Sequence, residues 1–534
     1  MTNAPGANAY KRFALSLCFA CVAYSGPALA MEIDTGSDIK VRWDNTVKYS
    51  TAYRVKGRSD ALAGAAAFDY DDGDRNFDRG FVSNRLDLLS EFDVSYGRSF
   101  GARVSAAAWY DTFYNTSNDN DSPATVNSTS IAYNKFTKDT RRLHGRNIEL
   151  LDAFVWGRMP VGDMTLSVRA GRHTILYGES LFFGANGIAA GQAPIDAIKA
   201  TSVPSTQFKE LLMPVEQVSA QLQINSNLSV GGYYQFEWHK TRIPAAGSFL
   251  STVDFLDAGG ERILGAGFLR GPDIKARNSG QWGFQIRYRP PGGETDYGLY
   301  AINYHDKTPQ VYLLPLANEY RLVYPEDIEA YGASFNTVLF DANVAGEVSV
   351  RRNTPLVSNT SMIDLTGTAD GDDNPLYAVG NSLHAQASVV HFLEATSLWE
   401  SASVIGEVAW NRRLKITKNA SQLDPRTSRS AWGFRVLFEP QYFQPLPGVD
   451  LTVPISFGYT PDGKSSVLST MLVDDGGDVS VGLNATYLNT WRAKIGYTHF
   501  LGNGGLTTDS TGNHTFNQPL KDRNFISFSI ERTF

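Results

Sequence analysis

From Ile39 to its last residue the chain repeats one pattern, stretches in which apolar and polar side chains alternate with a period of two. Alternation over roughly ten residues, bounded by turn residues, is the strand signature of a membrane barrel, weak in any one segment and informative in number. From Val449 to Tyr459 the odd positions are apolar or aromatic and the even ones small or polar. Trp282, Phe284, Ile286 and Tyr288 oppose Gln285, Arg287 and Arg289, and Leu86, Leu88, Phe92 and Val94 oppose Arg85, Asp87, Glu91 and Asp93. A soluble antiparallel sheet also alternates, so the pattern leaves two fold classes open. Two features separate them. Charges of both signs gather on the polar face, and aromatics (Trp43, Tyr96, Tyr110, Trp238, Trp432, Tyr459, Trp491) stand near segment ends, where interfacial girdles lie.

Spacing gives an independent criterion. The pattern predicts strands at 39–53, 80–96, 101–114, 147–158, 163–177, 215–224, 227–238, 280–290, 294–304, 331–341, 343–352, 382–393, 399–411, 430–440, 449–459, 478–489, 491–501 and 522–534. Connections between them are alternately short and long, the rhythm of periplasmic turns and outer loops, which puts both termini on the periplasmic side. The expected fold is therefore all-β, a closed antiparallel transmembrane β-barrel of about 18 strands (16–18). Closure is a physical necessity. A strand in hydrocarbon has no water to satisfy its amides, so the last strand must pair with the first, here the stretch from Lys40 to Tyr53. Parity then places Arg85, Asp87, Glu91, Asp93, Arg103, Arg169, Arg287, Arg289, Glu347 and Arg435 in the lumen.

Residues 1–30 read as a cleaved secretory signal, and 31–534 as a single barrel domain. Lys11 and Arg12 precede an apolar stretch from Phe13 to Tyr24, and Ala28-Leu29-Ala30 supplies a small-x-small cleavage site. Cys18 and Cys21 both lie in this segment, so the exported chain has no thiol chemistry, disulfide or Cys-based zinc site. The mean hydropathy of -0.24 is too low for a bundle of membrane helices. A net charge of -7 offers no basic footprint for nucleic acid.

The final segment sets Asn524, Ile526, Phe528, Ile530, Arg532 and Phe534 on one face and ends in an aromatic. It resembles the assembly signal of outer-membrane barrels, with Ile526, Phe528, Ile530 and Phe534 as its carriers, so barrel-assembly machinery and outer-membrane lipids are expected partners. Arg532 departs from the pattern, and its long stem is expected to snorkel.

One connection stands out in composition, running from Gly171-Arg172-His173 through Tyr177, Glu179, Phe182, Phe183 and Asn186 to Gln192 and Asp196. Long loops rich in glycine and aromatics tend to be functional. This one is either a constriction or substrate-binding loop or a packed surface loop. His173, Glu179 and Ser180 could suggest a hydrolase, but nothing fixes their geometry, so no catalytic residue is assigned. Acidic runs recur in the outer connections (Asp69 to Asp74, Asp119 to Asp121, Asp370 to Asp373, Asp474 to Asp478). They read as solvated loops. Clustered carboxylates would suit a hard cation, but none of the runs completes an EF-hand loop, so neither metal nor cofactor is expected.

Asp34-Thr35-Gly36 followed by Arg42-Trp43-Asp44, then Asp71-Asp72-Gly73-Asp74-Arg75-Asn76-Phe77, Asn84-Arg85-Leu86-Asp87 and the 171–196 stretch, together resemble the uncharacterised Gram-negative outer-membrane family known as domain of unknown function 1302. The resemblance covers nearly the whole exported chain. It implies an outer-membrane barrel whose genes often neighbour those of a lipoprotein-like partner and an inner-membrane transporter. It carries over no catalytic residue. The expected function is a channel for uptake or passage of an unidentified small, hydrophobic or aromatic compound, with a multi-protein envelope export or lipid-handling system as the alternative. A barrel enzyme and a structural or adhesive barrel stand behind these two.

Overall fold

The computed structural model describes residues 31–534 except 35, 65, 203–207 and 361; the expected signal segment lies outside the described residues. One sheet closes on itself. Its wall has 18 antiparallel strands, which we number β1 (Ile39–Arg54), β2 (Gly80–Tyr96), β3 (Phe100–Asp111), β4 (Arg146–Val161), β5 (Met164–His173), β6 (Val215–Gln223), β7 (Leu228–Gln235), β8 (Gln281–Tyr288), β9 (Asp296–Tyr304), β10 (Ile328–Leu339), β11 (Ala342–Pro355), β12 (Val379–Leu393), β13 (Ser401–Lys418), β14 (Ser430–Leu446), β15 (Val449–Thr452 and Ile455–Asp462), β16 (Gly476–Tyr487), β17 (Trp491–Leu501) and β18 (Phe525–Thr533). No helix among the described residues is long and apolar enough to cross a membrane.

The seam joins β1 to β18, from Thr46 opposite Thr533 to Arg54 opposite Phe525. Phe534 continues it, exchanging backbone hydrogen bonds with Asn45. Beyond that point the edge of β1 is covered by Met31–Asp34, which pairs with Lys40 to Trp43. The edge that a barrel cannot leave bare in hydrocarbon is thus paired along its length by β18 with Phe534 and by Met31–Asp34. Arg532 lays its guanidinium over the Trp491 ring at 5.2 Å, an interfacial placement that accounts for a cation on a lipid-facing strand end.

Side-chain parity runs as the alternation predicts. Leu86, Leu88, Phe92, Trp282, Phe284, Phe457, Val481 and Ile526 are exposed on the outer wall, an apolar belt facing hydrocarbon. The short and long connections alternate throughout. Three local expectations are corrected. β5 ends at His173 rather than at 177, because the chain turns into the lumen there. β15 is broken at Val453-Pro454, where proline has no N–H for the ladder. Trp238 belongs to no girdle; it is buried among the outer loops beside Tyr324, with its indole N–H donating to Asp306 O at 3.1 Å.

The long connections fold on one another. Phe77, Tyr114, Phe136 and Phe249 form an apolar cluster with Phe500 and Phe525. A separate five-stranded sheet (Arg262–Ile263, Phe268–Arg270, Gln310–Leu314, Glu319–Val323, Met362–Ile363) covers another part of the same end.

Candidate constriction loop

The connection that leaves β5 at His173 and returns to β6 at Val215 runs along the inner wall of the barrel over residues 177–192. Its path can be followed strand by strand. Tyr177 packs its ring near Tyr233 on β7 (5.5 Å) and Tyr300 on β9 (6.1 Å). The Glu179 carboxylate accepts from Arg287 on β8 (3.0 Å) and from Asn336 on β10 (3.1 Å). Its backbone N–H donates to Glu347 on β11 at 2.7 Å. The chain then reaches β13, where the N–H groups of Leu181, Phe182 and Phe183 donate to the two oxygens of Glu407 at 3.1, 2.5 and 2.8 Å. β13 lies eight strands on from β5 in an 18-strand ring, almost opposite.

The return follows the same wall. Asn186 donates to Gln386 on β12 at 3.2 Å, and Arg351 on β11 donates to the carbonyls of Ala185 and Gly187 at 2.9 and 2.8 Å. Ile188 N–H donates to Glu347 at 2.8 Å. Gln235 on β7 donates to the Gln192 carbonyl, while the Gln192 side chain accepts from Tyr177 N–H at 2.5 Å and so ties the two legs together. Asp196 closes the excursion on Arg242, which also pairs with Glu149 on β4.

Two buried carboxylates hold this arrangement. A carboxylate accepts only, so it can take several convergent N–H groups, and hydrogen bonds to a charged acceptor are stronger than neutral ones. Glu347 gathers Glu179 N–H, Ser180 O–H and Ile188 N–H; Glu407 gathers three successive amides, an anion-binding nest with the protein's own side chain as the anion. Gln386 bridges the two, donating to Ser180 Oγ at 2.6 Å and to Glu407 at 3.2 Å. The glycines of the loop permit the approach. A Cβ on Gly187 would collide with Ser180 Oγ and Glu347 Oε1, and one on Gly178, whose φ is 89°, would meet Glu347 Oε2 at 2.5 Å.

Of the residues expected in a constriction, Tyr177, Glu179, Phe182, Phe183, Asn186 and Gln192 are brought together on the inner wall, and Asp196 anchors the far end. Phe182 and Phe183 stay half-buried, as does Leu181. Arg172 is not among them. It stands opposite Ala153 two positions on from the Ala170–Val155 pair, whose valine is exposed on the outer wall, so it faces outward, and it pairs with Glu237. His173 is buried in the wall, its ring nitrogens 2.9 Å from Ser219 Oγ and 3.0 Å from Gly171 O.

The remaining arc of wall carries ion pairs. Arg103 is hydrogen-bonded to Glu91 and Asp93 and lies 3.3 Å from Asp152, Arg85 pairs with Asp87, and Arg435 pairs with Asp478. Arg169 lies over the Phe154 ring at 5.7 Å. Arg289 is corrected: it sits past the end of β8 in a short turn, exposed, and pairs with Asp296. The residues missed by sequence reasoning are Glu407, Gln386 and His384, the last with Nδ1 3.1 Å from Asn186 Oδ1. Alternation marks each of them as inward, but only the loop's path reveals them as its anchors.

Comparison with known proteins gives one family and a set of distant folds. The model of the family described as "Protein of unknown function (DUF1302)" matches residues 11–534. No curated protein matches the sequence. Among solved structures, OccAB2 of Acinetobacter baumannii is 10% identical, with 92% of this chain and 98% of that chain covered and a TM-score of 0.41. OccAB3 of the same organism is 11% identical over 92% and 99%, with a TM-score of 0.43. The outer membrane channel DcaP of Acinetobacter baumannii is 10% identical over 95% and 100%, with a TM-score of 0.38.

Proposed function

Because the chain belongs to the DUF1302 family, whose function is unknown, its work has to be read from its own interior, and we propose that the protein is a constricted diffusion channel of the Gram-negative outer membrane that passes a small apolar or aromatic compound. The observation that carries this reading is the connection laid along β7 to β13 and held there by Glu347 and Glu407. A surface loop has no use for two buried carboxylates on the inner wall of the barrel it leaves; a loop that narrows a lumen does. An outer face of apolar side chains on a closed sheet suits hydrocarbon, and alternate short turns and long loops suit an outer membrane reached after export.

The substrate class is our reading of the residues on the loop and on the wall beyond it. Leu181, Phe182 and Phe183 are half-buried on the loop, whereas β2, β3, β4 and β14 carry the ion pairs of the opposite arc. Apolar residues on the loop together with a charged wall beyond it favour a solute with an apolar body and a polar end, as binding pockets combine apolar lining with a few placed polar groups. Transport is favoured over hydrolysis because His173 commits its nitrogens to Ser219 and its own strand's backbone, with Glu179 engaged by Arg287 and Asn336 elsewhere.

Solute entry into liposomes carrying the purified protein tests the proposal. A small aromatic acid is expected to enter faster than a sugar of similar mass, and the Phe182→Ala/Phe183→Ala double variant to lose that preference while keeping sugar flux. Absence of flux for every solute would refute the channel reading.

A further inference from the structure

Outside the lumen, three carboxylates converge among the outer loops. Asp71 and Asp72 lie between β1 and β2, Asp254 lies between β7 and β8, and one oxygen of each falls within 4.8 Å of the others. All three are buried. Arg75 donates to Asp71 Oδ2 at 2.5 Å, whereas among the described residues Asp72 and Asp254 have no ion pair. Neutral donors serve part of the cluster: Asn127 N–H reaches Asp72 Oδ2 at 2.9 Å and Asp72 N–H reaches Asp254 Oδ2 at 3.0 Å. Asp71 Oδ1 and Asp254 Oδ1 are left buried with no hydrogen-bond partner.

A second observation lies beside the carboxylates. The hydroxyls of Ser248 and Ser251, on residues 0% and 2% exposed, also lack any partner. Ser251 Oγ and the carbonyls of Ser248 and Ser251 crowd the turn between Asp72 and Asp74, at 2.5, 2.8 and 2.7 Å from where a Cβ on Gly73 would stand. Unpartnered carboxylate and hydroxyl oxygens thus lie beside the backbone carbonyls of Ser248 and Ser251, which accept from Ser251 N–H and from the Arg523 guanidinium. Buried polar groups without partners are rare in folded proteins, and an ion that the coordinates omit is one of the ordinary reasons for them.

We propose that Asp71, Asp72 and Asp254 bind one calcium ion, with the Ser251 hydroxyl and water completing an all-oxygen shell. Calcium takes six to eight oxygen ligands in flexible geometry, which suits a site assembled from separate loops better than the strict octahedron of magnesium. The ion would clasp the β1–β2 and β7–β8 connections together, and the β3–β4 connection with them through Asn120 and Asn127. It would set the outer mouth of the barrel without touching the constriction.

Calcium titration of the full-length barrel in detergent, after chelation, tests this directly by calorimetry. One saturable ion per chain is expected, with a dissociation constant in the range of extracellular modules, about 10⁻⁴–10⁻³ M or tighter. Asp254→Asn is expected to weaken it at least about tenfold, and Asp71→Asn serves as the second variant should the first fail to fold. Folding is read from the difference in gel mobility between unheated and boiled samples. Calcium is also expected to slow proteolysis of the outer loops in the parent protein and not in the variants. No saturable calcium binding by a parent protein that retains its heat-dependent mobility would overturn the proposal, as would equal binding by a folded Asp254→Asn protein or equal affinity for magnesium.

Discussion

Phe183 and Glu407 are 224 residues apart in the chain, and the backbone N–H of the first donates to the carboxylate of the second at 2.8 Å. That bond marks the furthest reach of a loop that has crossed to the far side of the lumen. It also explains why an acidic side chain stands on the inner wall without a cation: its partners are the peptide dipoles of Leu181, Phe182 and Phe183.

Removing the anchors should free the loop while leaving the barrel. Glu407→Ala deletes the acceptor for three amides in a buried place, where hydrogen bonds to a charged group contribute about 1.5–3 kcal/mol each. Glu407→Gln keeps an acceptor oxygen and should act more mildly. Limited proteolysis from the periplasmic side of reconstituted protein is expected to cut within 178–192 in the alanine variant, slowly in the glutamine variant and not in the parent.

Gly187→Ala should reproduce the effect without changing any charge. Its Cβ would strike Ser180 Oγ and Glu347 Oε1, so the chain must lift from the wall. Gly157→Ala is the matched control, since its Cβ would meet only Ser99 O, at 4.0 Å. Wider fluctuations of open-channel current are expected for the first and parent-like traces for the second.

Much of this architecture is legible in sequence because a barrel wall has one rule, period two, and obeys it for hundreds of residues. β2 and β17 begin and end where the alternation does. The rule fails where tertiary contacts decide. Ile175, Leu176 and Tyr177 extend the apolar run of β5, and nothing local says that the chain turns inward at His173. The Asp69 to Asp74 run reads as a solvated loop because acidic residues usually are; instead Asp71 and Asp74 are fully buried, since other long loops close over them. The anchors Glu407 and Gln386 look like any other inward polar residue until the loop that needs them is in place.

The buried charges of the outer loops supply a stability test. Arg54 donates to Asp74 at 2.6 Å and lies 3.4 Å from Asp522, and all three side chains are fully buried. Breaking a buried pair by removing one partner costs about 3–5 kcal/mol, so Arg54→Met should markedly lower the temperature at which the unheated gel mobility is lost. Arg58→Met, whose partners Asp78 and Asp121 are 67% and 62% exposed, should cost less than about 1 kcal/mol.

His144 gives the outer loops a pH dependence of defined sign. Its Nε2 accepts from Ala245 N–H at 3.2 Å and its ring stacks on Tyr114 at 4.9 Å. Burial, then the charges of Arg85 and Arg242, hold its pKa at about 3, against about 6.5 when unfolded. The unfolded state therefore binds a proton in this interval that the folded state does not. The contribution of His144 is complete above about pH 6.5 and declines as pH falls towards 3, by about 1.4 kcal/mol per pH unit. Thermal unfolding of the parent and of His144→Gln should agree above pH 7, with the parent losing more stability on acidification.

The most direct test of the channel itself is single-channel conductance in planar bilayers, measured for the parent protein and for a variant in which residues 179–191 are replaced by a short Gly-Ser linker. Discrete openings are expected for the parent, and severalfold larger ones for the variant, because the loop that occupies the lumen from β7 to β13 is gone. A silent parent and an equally silent variant would contradict the account, for then the barrel would be closed by something other than this loop.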